Sequence, residues 1–124
     1  MLPSERLERM IEIYVDGSGK GHFCFFKPND KPRVGSYHLN GITNNEAEYK
    51  AVIAALMSVS DGSEVTILTD SQIVVNQLNL SWNIRSTKLR RLFDMVYEVM
   101  DLKDLTVTFK WIPRKKNKAG KYLG

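Results

Sequence analysis

The sequence predicts an α/β fold: a mixed five-stranded sheet, three antiparallel strands followed by two parallel ones, flanked by helices. Three observations predict it. Ile11-Glu12-Ile13-Tyr14-Val15-Asp16 alternates with the period of two that marks a half-buried strand, and two further short apolar runs separated by turn residues follow it. Thr43-Asn44-Asn45-Glu46 then opens a segment with helical spacing. Beyond it, a β-branched run feeds directly into a second helical pattern, the alternation that builds parallel strands with covering helices.

Taken in order, the first strand meets Gly17-Ser18-Gly19-Lys20-Gly21, a tight connection, and residues 22–26 resume as a second strand. Pro28-Asn29-Asp30-Lys31-Pro32 is turn material, after which residues 34–39 complete an antiparallel meander. Thr43 and Glu46 form a capping box, and the helix they open runs to about Ser58. Val65-Thr66-Ile67-Leu68-Thr69-Asp70 is a buried strand, and Val74, Val75 and Leu78 give the helix after it. Leu89, Leu92, Phe93, Val96, Val99 and Met100 form one apolar stripe on a helix over residues 87–100. Residues 105–112 make the last strand, with room for one final helix.

A chain of 124 residues is one ordinary domain, expected over residues 10–124 with residues 1–9 as an N-terminal extension. Residues 1–10 carry Glu5, Arg6, Glu8 and Arg9 and no export signal, and the longest uncharged run, residues 51–60, is too short to span a bilayer. A soluble, cytoplasmic monomer away from membranes is expected. Cys24, the one cysteine, lies in an apolar run and reads as a buried hydrophobe. Eighteen basic against fourteen acidic residues give a net charge of +4, which favours a polyanionic partner. The cations crowd the end of the chain, at Lys110, Arg114, Lys115, Lys116, Lys118 and Lys121, whereas the acids stop at Asp104.

Three carboxylates carry the functional reading. Asp16 and Asp70 each close a strand, where sheets of this kind place ligands. Taken singly, an Asp-Gly turn accounts for Asp16 and a helix N-cap for Asp70. Glu48 is harder to explain by structure alone, because it heads the row Val52, Ala55 and Val59 on the buried side of its helix. Glu46 points away from that side, and its capping role accounts for it. If the first and fourth strands are neighbours, Asp16, Glu48 and Asp70 converge, and like charges so placed call for a cation. Oxygen-only ligands suit Mg²⁺ or Mn²⁺, and such ions join a few carboxylates to substrate phosphate.

The motifs Asp16-Gly17-Ser18, Thr43-Asn44-Asn45-Glu46-Ala47-Glu48 and Asp70-Ser71-Gln72, with residues 82–92 and Trp111-Ile112-Pro113-Arg114 leading to Asn117 and Leu123, resemble the type 1 ribonuclease H family. The resemblance spans residues 10–123. It implies a ribonuclease H-like fold and cleavage of the RNA strand of RNA–DNA hybrids, with Asp16, Glu48 and Asp70 as catalytic metal ligands. It also implies that Asn44, Asn45 and Gln72 contact the minor groove, where an amide can donate to and accept from a 2′-hydroxyl. By the same resemblance Thr43 meets a DNA phosphate and Ser18 lies beside the scissile strand.

The chain departs from the family pattern where a fourth acid stands four residues after the last-motif Asn. That position is Lys121, and a lysine there opposes metal binding and weakens hydrolysis. The residues before Asn117 also lack the family's histidine, and His22 and His38, both in strand segments, do not replace it. The connection over residues 80–87 leaves no room for an additional basic helix, so binding is expected to be salt-sensitive. The alternative of a different class is a catalytically inactive RNA–DNA hybrid-binding module of the same fold. A phosphate-binding loop over residues 17–21 is rejected, because Tyr14 and Gly21 occupy positions that need Gly and Ser or Thr. Trp82 and Trp111 adjoin apolar segments and are expected in or near the core.

Overall fold

The computed structural model describes residues 10–18, 22–27, 31–36 and 42–120. In chain order the elements are β1 (Met10–Ser18), β2 (His22–Phe26), β3 (Arg33–Ser36), α1 (Asn44–Met57), β4 (Glu64–Thr69), α2 (Gln72–Leu78), α3 (Thr87–Leu102) and β5 (Thr106–Trp111), followed by a 3-10 turn at Arg114–Lys116. The extension 1–9, the glycine loop at 19–21, the turn residues 28–30, His38, Lys121 and Leu123 fall outside the described residues.

The sheet has the order β3-β2-β1-β4-β5. β1 pairs antiparallel with β2, and β2 with β3, whereas β4 runs parallel to β1 and β5 parallel to β4. This is the mixed sheet read from the sequence, with β1 and β4 adjacent. The β1–β4 ladder runs from Met10 and Glu64 to Tyr14 and Leu68. Asp16 and Asp70 each stand two residues beyond its end.

β1 extends to Ser18 and does not stop at Asp16, so Gly17 lies in a strand rather than in a turn. The reason is space. A Cβ on Gly17 would stand 2.3 Å from the backbone carbon of Ala47, so only glycine lets α1 lie this close to the strand. β3 starts one residue before the strand expected over 34–39 and is seen as far as Ser36; residues 37–39 are not described.

α1 begins with half of the expected capping box: the Thr43 hydroxyl accepts from the Glu46 amide at 3.1 Å, while the Glu46 carboxylate accepts from that hydroxyl, at 3.4 Å, rather than from a backbone amide. It is buried nearly all round, at Ala47, Glu48, Tyr49, Ala51, Val52, Ile53, Ala55 and Leu56, because the sheet covers one side and α3 another. Tyr49, Leu56, Ile13 and Ile67 are fully buried in the resulting core, each worth about 1.5–3 kcal/mol through removal of apolar surface from water. α2 is pinned by Asn79, whose Nδ2 donates to the Phe109 carbonyl on β5 at 3.1 Å. A left-handed Leu80 (φ 63°) then turns the chain, and the amides of Ser81 and Trp82 both close on the Asn76 carbonyl.

The tryptophans are not core residues. Trp82 is 48% exposed and Trp111 42% exposed. Trp111 lies on β5, the edge strand of the sheet among the described residues, and its indole N–H donates to the Asp70 carbonyl.

Candidate metal centre and nucleic-acid cleft

The three sequence-predicted carboxylates meet where the β1–β4 ladder ends. Asp16 comes from β1, Glu48 from the second turn of α1, and Asp70 from the residue after β4. One carboxylate oxygen from each lies within 4.8 Å of the other two. Neither structural explanation for the aspartates survives. Asp16 is in a strand, and the α2 N-cap is Ser71, whose hydroxyl accepts from the Val74 amide at 3.3 Å.

Glu48 is only 5% exposed and is fixed from two sides. The Gly17 N–H donates to Oε1 at 3.0 Å, and the Thr69 hydroxyl donates to Oε2 at 3.0 Å while itself accepting from the Ser71 amide. Burial first, and then the neighbouring Asp16 carboxylate, push the Glu48 carboxyl up to about 9. Asp16 is also raised, again by burial first, although its hydrogen bond with Glu48 acts in the opposite sense. Both carboxyls of the pair thus bind a proton more tightly than they would in water.

Asp70 is held differently. Asn117 is 7% exposed, and its Nδ2 donates both to Asp70 Oδ1 at 2.7 Å and to the Val15 carbonyl at 2.8 Å. Its own Oδ1 accepts from the Ala119 amide at 3.1 Å. The chain then passes so near Asp16 that a Cβ on Gly120 would lie 3.2 Å from Asp16 Oδ2.

Asp16, Glu48 and Asp70 line an open, polar cleft of about 360 Å³ with Gly17, Ser18, Asn44, Asn45, Ser71, Arg114 and Gly120. Of the predicted binding residues, the cleft gathers Ser18, Asn44 and Asn45; Thr43 and Gln72 lie outside its lining, Thr43 occupied in the cap and Gln72 exposed. Sequence reasoning missed Arg114 as a cleft residue and the roles of Gly17, Thr69 and Asn117. Gly17 stood in the first motif and Arg114 and Asn117 in the last, as landmarks without a role; Thr69 carried no such signal.

The donor set fits a hard divalent cation. It consists of oxygens alone, two of the three carboxyls have raised proton affinity, and the partners of Glu48 and Asp70 are neutral donors that leave the negative charge uncompensated. Arg114 is the cationic side chain in the described lining, and its charge draws modestly on Asp16.

A family model described as reverse transcriptase-like matches residues 27–123. Among curated relatives, the uncharacterized protein YpeP of Bacillus subtilis is 35% identical across 86% of this chain and 54% of its own length. A ribonuclease H of Pectobacterium carotovorum is 36% identical across 55% of this chain and 48% of its own. The chain thus spans about half the length of the curated relatives it matches. Among solved structures, RNase H1 of the archaeon Halobacterium salinarum superposes with a TM-score of 0.71 at 26% identity, over 90% of this chain and 92% of that one. LC11-RNase H1, solved in complex with an RNA/DNA hybrid, gives 0.72 at 25% identity, over 90% and 91%.

Proposed function

The chain belongs to the reverse transcriptase-like family and has the ribonuclease H fold, and we propose that it hydrolyses the RNA strand of RNA–DNA hybrids, acting as a divalent-metal-dependent endoribonuclease. The observation that carries this reading is the convergence of Asp16, Glu48 and Asp70 in a cleft that also presents Asn44 and Asn45. The hybrid-bound neighbour of the same fold supports the choice of substrate.

Asp16, Glu48 and Asp70 hold Mg²⁺ or Mn²⁺. When bound, the ion supplies the positive charge that an in-line displacement at phosphorus requires. Because Glu48 binds a proton more tightly than usual, a cation held there would compete with that proton, and its uptake would release acid. Asn44 and Asn45, at the start of α1, offer amides that both donate to and accept from 2′-hydroxyls, which DNA lacks. Ser18 lies beside the cut strand. Thr43 and Gln72 extend the contact surface beyond the cleft, Thr43 toward a DNA phosphate. The working unit is the domain of residues 10–124, a cytoplasmic monomer. No helix among the described residues is long and apolar enough to cross a membrane.

The test is cleavage of labelled RNA–DNA hybrid, duplex DNA and duplex RNA in Mg²⁺ and in Mn²⁺, with Asp70→Asn and Lys121→Asp variants beside the parent. Cleavage confined to the hybrid, abolished by chelator and by Asp70→Asn, is the expected result. A parent that binds hybrid without cutting it, while Lys121→Asp cuts, would make the domain a hybrid-binding module and overturn the enzymatic reading.

A further inference from the structure

The Asn117 side chain lies at the place where the two central strands part. The β1–β4 ladder stops at Tyr14 and Leu68, and the carboxylates stand just beyond it, at Asp16 and after Thr69. Across this opening one amide nitrogen makes two short bonds, to the Val15 carbonyl on one side and to the Asp70 carboxylate on the other. A primary amide has two hydrogens, and both are used. Its oxygen is also used, by Ala119, which fixes the rotamer from the chain that follows.

The contrast with Glu48 gives this arrangement its meaning. Glu48 takes its orientation from the β1 amide at Gly17 and from Thr69 of β4. Asp70 takes its orientation from a residue of the segment after β5. The partner is an amide rather than a Lys or Arg, so it aims the carboxylate while leaving its charge available to a cation.

Resting on the function proposed above, we infer that Asn117 is a positioning residue: by bridging Val15 to Asp70 it sets the separation of the β1 and β4 carboxylates and thereby the site's affinity for its divalent ion.

The experiment measures Mn²⁺ binding calorimetrically, without nucleic acid, for the parent, Asn117→Ala, Asn117→Ser and Leu92→Ala, each checked for folding by circular dichroism. Asn117→Ala is expected to weaken Mn²⁺ binding about tenfold or more, the usual consequence of removing the group behind a ligand. Asn117→Ser, which retains one donor and perturbs the fold less, should fall between. Leu92→Ala, buried under α3 away from the cleft, should lower thermal stability and leave Mn²⁺ affinity at the parent value. Parental affinity in a folded Asn117→Ala, or an equal loss in Leu92→Ala, would overturn the assignment. Exchange of the Asn117 side-chain amide protons, followed by NMR in chelator, reads the bridge without metal. Slow exchange in the parent that becomes fast in Asp70→Ala is expected, and fast exchange in the parent overturns the bridge. A parent that shows slow exchange but binds no Mn²⁺ overturns the metal-binding reading together with the affinity role assigned to Asn117.

Discussion

α1 and α3 are both long helices packed on each other, yet they face opposite demands. α3 buries Leu92, Phe93 and Val96 and exposes much of its remaining surface, with an Arg90–Asp94 ion pair at 3.3 Å and Leu102 82% exposed. α1 is enclosed by the sheet and by α3, and the one carboxylate it buries is Glu48. The difference teaches where precision is needed. α3 is a cover that tolerates change on its outer face, whereas α1 fixes a functional group against β1 through a contact that depends on the absence of a single side chain.

The sharpest way to break this contrast is Gly17→Ala. The added methyl would overlap the Ala47 backbone, α1 would have to retreat from β1, and the Gly17 amide would lose Glu48. A stability loss of about 3 kcal/mol by urea denaturation is expected, near the upper end for overpacking. Hybrid cleavage should be lost with it; a fully active Gly17→Ala would show that α1 does not need this approach.

A smaller effect comes from the buried carboxyl itself. The Glu48 carboxyl is raised from its ordinary 4.5 to about 9, so between those values the folded chain binds a proton that the unfolded chain has lost. The stability it contributes is fully present below about pH 4.5 and is lost as pH rises through 9. In chelator, the melting temperature should therefore fall between pH 5 and pH 9, and Mn²⁺ should flatten the slope. Glu48→Gln should remove most of that slope in chelator, leaving the part that belongs to Asp16. An unchanged slope in Glu48→Gln would assign the titration elsewhere. The smallest effect is expected on α3, where Asp94→Ala removes an exposed ion pair and should shift stability by no more than about 0.5 kcal/mol in a melting experiment.

Local signals in the sequence were read correctly wherever the structure uses local rules. The Thr43 cap, the buried row of Glu48, Val52 and Ala55 with Val59 just beyond it, and the stripe of α3 each follow from spacing along one segment, whatever they pack against. Gly17 was misread as a turn residue because glycine also serves where backbones crowd, and only the position of α1 separates the two uses. Trp111 was misread because an apolar neighbourhood in sequence does not reveal that β5 is an edge strand, and Trp82 because it does not reveal the exposed turn after α2. Arg114 and Asn117 stand in the last motif of the resemblance, but the spacing of that segment does not show which of its side chains reaches the carboxylates.

The Val15–Asn117 bond joins positions 102 residues apart. During synthesis, a chain short of residue 117 already contains all three carboxylates and the helix that buries one of them. It lacks the amide that ties the two strands together at their open end. Completion of the cleft thus waits on a non-local contact, one whose loop-closure cost falls due only when the segment after β5 folds back on β1.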